Sequence, residues 1–221
     1  MDSVFDILGP VMIGPSSSHT AGAVNLGRLA RQALGKQPEK MAVTLYGSFA
    51  DTYKGHGTDR ALVAGMLGYL PHSLEVKNAL EIAAGKGIEV YFELEKESPY
   101  HHPNTARIFL SGGGSETEIV GVSEGGGAVS IRKIDGFPVD FSGTYNTILC
   151  IYPEQVGMVA KVSQILAGEN INIAFMKVSR NGRKSNALMV VEADDHVSEK
   201  VLNKIIAVPG MLSVKYIEKL T

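Results

Sequence analysis

Along the first third of the chain the apolar positions change period. Ala23, Leu26, Ala30, Ala33 and Leu34 recur at three- and four-residue spacing, which predicts a helix with one buried face over Ala21 to Leu34. Met41 to Ala50 switches to period two, with Val43, Leu45 and Gly47 on one side and Thr44, Tyr46 and Ser48 on the other, the pattern of a strand. Residues 51–60 read as a polar strand-to-helix loop that holds His56 between Gly55 and Gly57, with Thr58 as the N-cap of an apolar helix from Asp59 to Leu70. Pro71 stops that helix, and Ser73 caps another through Glu75, Leu80 and Ala84 that ends at Gly85-Lys86-Gly87.

Ile88 to Leu94 alternates as a strand. After a polar connection over Ser98 to Thr105, the runs Ala106–Leu110, Glu116–Val122 and Val129–Lys133 predict an antiparallel meander. The glycine-rich stretches Gly112–Gly114 and Glu124–Gly127 are its turns, because neither has the spacing of a phosphate loop. Between Gly136 and Tyr145 the alternation gives way to turn chemistry, and a new unit follows. Its order is strand (Thr147–Tyr152), helix (Val159 to Gly168), strand (Ile171–Val178), Asn181-Gly182 hairpin turn, strand (Ala187–Val191), helix (Ser198–Ala207) and strand (Met211–Ile217). That is the ferredoxin-like split βαβ unit. The predicted fold is mixed α/β in two domains, 1–142 and 146–221.

Composition narrows the partners. A formal net charge of -2, with charged residues of both signs mixed along the 221 positions, gives no basic stripe for nucleic acid and no polybasic patch for a membrane. Asp2 and Asp6 replace the basic region of a secretory signal, and the longest apolar run, Ala61 to Leu70, is too short to span a bilayer, so a cytoplasmic protein is expected. The single cysteine, Cys150, excludes an internal disulfide.

Chemistry concentrates at Gly14-Pro15-Ser16-Ser17-Ser18-His19-Thr20, on the entry to the first helix. The first turn of a helix offers unsatisfied N–H groups and the positive end of the macrodipole, so a serine-rich entry suits a small carboxylate or phosphate. A plain serine cap is the competing reading, but a cap has no use for His19. His101 and His102 are adjacent in an extended segment and face opposite sides, which disfavours joint chelation of a metal.

The serine-histidine motif resembles the first signature of the beta chain, or beta-like domain, of bacterial iron-sulfur L-serine dehydratases, and Gly55-His56-Gly57-Thr58-Asp59 resembles the second. The resemblance extends over essentially the whole chain. It implies an N-terminal serine-dehydratase beta domain, of the kind also found as the allosteric substrate-binding domain of some phosphoglycerate dehydrogenases, and a C-terminal ACT domain. It implies a lyase that turns L-serine into pyruvate and ammonia without pyridoxal phosphate, using a 4Fe-4S cluster as Lewis acid. His56 is then the expected general base and His19 a second catalytic group. Ser16, Ser17, Ser18 and Thr20 are expected to hold the substrate, joined by Asn104, since His102-Pro103-Asn104-Thr105 sits where the family carries a further active-site loop. One cysteine cannot supply a cluster's thiolates, so the cluster is expected on a partner alpha chain, and this chain alone is expected to be inactive and homodimeric.

Glu169-Asn170-Ile171-Asn172 opening the second strand of the C-terminal unit supports the resemblance to ACT domains, which often bind amino acids between copies. The first loop, Pro153-Glu154-Gln155-Val156-Gly157, departs from the commoner Asp-x-Pro-Gly form. Two other readings stay open at this point: a non-catalytic amino-acid-sensing module and a scaffolding dimer. An effector site has no need of a base, whereas β-elimination from serine does, and the polar signatures around His19 and His56 favour the lyase subunit.

Overall fold

The structure is a computed structural model and describes residues 11–180 and 185–220. The Asn181-Gly182 turn lies outside the described residues. The chain divides into two compact units, one of residues 1–135 with 140–142, the other of 136–139 with 143–221.

In the first unit a π turn, Ser18–Gly22, runs directly into α1 (Ala23–Leu34). β1 (Lys40–Tyr46) leads to α2 (Ser48–His56) and α3 (Thr58–Leu67). A 3-10 turn, Leu74–Asn78, precedes α4 (Ala79–Gly85) and β2 (Glu89–Glu95). Then come β3 (Thr105–Gly112), β4 (Ser115–Gly125), β5 (Ala128–Ile134) and β6 (Phe137–Phe141), the last of which is divided between the two units, residues 137–139 belonging to the second. The sheet order is β2-β1-β3-β4-β5-β6, parallel between β1 and β2 and antiparallel from β1 through β5. The expected meander is present; β6 forms where turn chemistry alone was expected, its Phe137, Val139 and Phe141 buried alternately.

The core of this unit lies between the sheet and the pair α1 and α3. Leu26, Leu29, Leu62 and Met66 are fully buried, as are Met41, Leu45, Ile108, Leu110 and Ile131 from the strands. The two helices cross at glycines. A Cβ on Gly65 would stand 2.0 Å from the Val24 carbonyl oxygen, and one on Gly27 would stand 2.3 Å from that of Leu62. The backbones touch there, which fixes how closely α1 and α3 approach and so where their N-terminal ends stand.

One expectation is corrected near the site. Residues 51–60 are not a loop: α2 runs through His56 and stops only at Gly57, whose φ of +72° makes it a left-handed C-cap donating its N–H to the Lys54 carbonyl. Burial of Phe49 and Ala50 outweighs the helix-weakening glycine at position 55. Gly57 also begins α3, so Thr58 is the first helical residue rather than the cap. The Ser73 hydroxyl likewise does not cap a following helix; it accepts from the Leu70 N–H of the preceding turn.

The second unit is β7 (Asn146–Pro153), α5 (Met158–Gly168), β8 (Ile173–Arg180), β9 (Asn186–Ala193), α6 (Glu199–Ile206) and β10 (Ser213–Ile217). Its antiparallel sheet has the order β10-β7-β9-β8, the ferredoxin-like βαββαβ arrangement. Ile148, Cys150, Met189 and Val191 of the strands pack with Val162, Leu166, Val201 and Ile205 of the helices. Among the described residues no helix is long and apolar enough to cross a membrane.

Candidate active site

The serine-rich entry is built by Ser16, which closes the first turn twice: its carbonyl accepts from the Thr20 N–H at 2.8 Å and its Oγ from the His19 N–H at 3.4 Å. The next turn is wider, with the Gly22 N–H donating to the Ser17 carbonyl at 2.9 Å. Such π turns concentrate at functional sites because they displace side chains from helical register. The glycine turn between β4 and β5 clamps this segment from outside. The Gly126 N–H donates to Ser17 Oγ at 3.3 Å, Ser123 Oγ donates to the Ser18 carbonyl at 3.0 Å, and Asn25 Nδ2 donates to the Gly127 carbonyl at 2.9 Å.

His19 is buried, and both of its ring nitrogens are engaged. Nδ1 lies 3.2 Å from Ser16 Oγ and 3.0 Å from Ser18 Oγ, and Nε2 lies 3.2 Å from Ser48 Oγ. The ring packs edge-on against Phe49. Burial lowers its pKa below the usual 6.5, the contact with Ser48 works the other way, and the neighbouring His56 lowers it further, so the ring is neutral near pH 7.

His56 closes α2 and lines a cavity of about 340 Å3 whose wall includes Gly14, Thr20, Gly57, Arg60, Lys77 and Asn78. His56 Nδ1 is buried with no hydrogen-bond partner among the described residues, and so is Thr20 Oγ1. A buried polar atom left unpaired costs about 1–3 kcal/mol, and in a cavity wall that cost is relieved by a ligand. A histidine with an unpaired ring nitrogen beside a cavity is placed to act as a base, and the edge of the His19 ring packs against it.

Of the five residues expected to hold substrate, Thr20 stands in the cavity wall. The hydroxyls of Ser16, Ser17 and Ser18 have the partners named above. Asn104 is outside the wall; its N–H donates to His102 Nδ1, its carbonyl accepts from the Ser123 N–H, and its Oδ1 is buried and unpaired. His102 Nε2 is 3.6 Å from the Glu124 carboxylate and His101 is exposed. Sequence reasoning missed Ser48, which joins His19 across 29 positions, and Arg60, Lys77 and Asn78. None of these carried a signal: Arg60 is only four positions after His56, but the left-handed Gly57 puts the two on separate helices.

The donors of this chain do not fit an iron-sulfur cluster. Among the described residues no three His, Cys, Asp or Glu side chains are placed to share a metal ion. The sole thiol, Cys150, lies in the core of the second unit, and burial pushes its pKa up to about 12, whereas a cluster ligand must be a thiolate.

Residues 3–111 match the family model described as serine dehydratase beta chain, and residues 146–210 match the ACT domain. The chain is 44% identical over 212 residues to the probable L-serine dehydratase beta chain of Bacillus subtilis, covering 96% of both, and 39% identical over 217 residues to the L-serine dehydratase beta chain of Peptoniphilus asaccharolyticus, covering 98% of both. The chain belongs to the L-serine dehydratase beta-chain family. The family match includes Ser16 to Thr20, His56 and Asn104, and leaves Cys150 in the ACT domain. A more distant relative is the D-3-phosphoglycerate dehydrogenase of Archaeoglobus fulgidus, 28% identical over 199 residues, which span 89% of this chain and 37% of that protein.

Proposed function

We propose that the chain is the beta subunit of an L-serine dehydratase that converts L-serine to pyruvate and ammonia, working with an alpha subunit that carries a 4Fe-4S cluster. The observation that carries this reading is His56, with its unpaired Nδ1, at the wall of a cavity sized for a small molecule. Elimination of water from serine requires removal of the Cα proton and departure of the β-hydroxyl. Proton removal is the part within reach of this chain: His56 accepts the Cα proton, and His19, held by Ser16, Ser18 and Ser48, keeps the His56 ring in place by edge contact. Thr20 orients the substrate from the cavity wall. The thiolates belong to the partner, because the one thiol here is buried and protonated. The lone chain is a cytoplasmic homodimer in this reading, two-fold pairing being the commonest symmetry.

The similarity to phosphoglycerate dehydrogenase over 89% of the chain favours a second reading, an amino-acid-sensing module without catalysis. Pyruvate and ammonia formation from L-serine separates the two. The subunit reading predicts turnover only when this chain and the cysteine-bearing chain are both present. Full activity of the partner alone, with this chain changing only its response to amino acids, would establish the regulatory reading.

A further inference from the structure

The serine-rich entry does not itself supply a strong anion seat to the cavity, since its three serine hydroxyls are occupied by His19 and Gly126. The cavity wall carries two permanent charges, Arg60 and Lys77, and no carboxylate among the described residues. Arg60 stands apart from the other described arginines. Arg28, Arg31, Arg107, Arg132 and Arg180 each donate a guanidinium hydrogen bond to a neighbour. The Arg60 guanidinium makes none with the described residues, and its nearest carboxylate, Asp59, is 4.0 Å from Nε and already accepts the Arg60 backbone N–H at 2.8 Å. Nη2 and Nε lie 3.2 and 3.5 Å from where a Cβ of Gly57 would stand, so the guanidinium lies folded over the residue that follows His56.

We infer that Arg60 is the specificity-determining residue of the cavity, binding the α-carboxylate of the amino-acid substrate beside His56, with Lys77 adding charge on the same wall. This rests on the reading of the cavity as the L-serine site. A planar fork of donors matches a carboxylate in two-point contact, which a hydroxyl or a single ammonium does not do, and two-point contact fixes the direction of the Cα–H bond as well as the position of the carboxylate. Gly57 contributes by lacking a side chain, because a Cβ there would press on the guanidinium. The site therefore selects free amino acids over their amides and esters.

The test compares L-serine with L-serinamide, which lacks the carboxylate, in the two-chain enzyme. Arg60→Gln is expected to lower kcat/KM for L-serine by about 10- to 100-fold, mostly through KM, because a hydrogen bond to a charged group is lost. The same substitution should change L-serinamide turnover by less than about threefold, and Arg60→Lys should recover part of the loss. The Arg60 side chain is 45% exposed, so neither variant disturbs the core. Equal losses on both substrates would overturn the inference. If the wild-type assembly dehydrates no serine, the functional reading has failed instead, and the anion seat is then judged on the full chain alone by the His56 ring resonances during titration with sodium acetate at constant ionic strength. Movement in wild type that disappears in Arg60→Gln supports the seat, and absence of movement in wild type overturns it.

Discussion

The rings of His19 and His56 meet edge to face, their centroids 4.8 Å apart and their planes at 83°. One ring has both nitrogens engaged by serine hydroxyls, and the other has a buried nitrogen with no partner among the described residues. The pair thus divides its work: an imidazole fixed by serine hydroxyls packs against one that lines the cavity.

The first consequence is a dependence of stability on pH. His19 has its folded pKa depressed by burial, so between that value and 6.5 the unfolded chain binds more protons than the folded one. Its contribution to stability is complete above pH 6.5 and is lost as the pH falls through the folded pKa. Urea midpoints at about pH 7.5 and about pH 5.5 should therefore differ more for wild type than for His19→Gln, which has no such proton to take up. An equal acid loss in both would contradict the assignment.

The close contact of α1 and α3 gives a second prediction. Gly65→Ala puts a methyl 2.0 Å from the Val24 carbonyl, and a backbone obstacle does not move aside as a flexible side chain would. The expected cost is about 3 kcal/mol, the upper part of the range for overpacking, read as a lower denaturant midpoint. An unchanged midpoint would mean that the helices are further apart than described.

The third concerns Cys150. A buried thiol with its pKa near 12 should resist a disulfide-exchange reagent in the native chain and react once the chain is unfolded in denaturant. Anaerobic reconstitution of the lone chain with iron and sulfide should give no cluster absorbance. Fast labelling of the native chain, or a cluster on it, would contradict the assignment of the thiolates to the partner.

Local periodicity carried most of the fold. β3 was legible because alternate residues face the core, whereas β7 and β9, buried along nearly their whole length, showed as short apolar runs between turn residues. The segment around His56 was not legible, since Gly55 and Gly57 signal a loop by composition while the helix that contains the first and ends at the second is held by the burial of Phe49 and Ala50. β6 was hidden for a similar reason, being five residues long with Pro138 inside it and Gly136 before it. The motif around His19 could be singled out from adjacent residues. Ser48 could not, because nothing at position 48 announces a partner at position 19, and Lys77 is an ordinary surface lysine until the 3-10 turn brings it to the cavity.

The measurement that bears most directly on the account is exchange of the L-serine Cα proton with solvent deuterium, together with steady-state turnover, in the two-chain enzyme carrying His56→Ala. If His56 takes that proton, exchange and kcat should both fall by roughly two to four orders of magnitude while KM changes little, the signature of a positioned acid-base group. Near-normal exchange and turnover with the cluster intact would remove His56 from proton transfer and leave His19, with both its nitrogens engaged, as the remaining histidine of the pair.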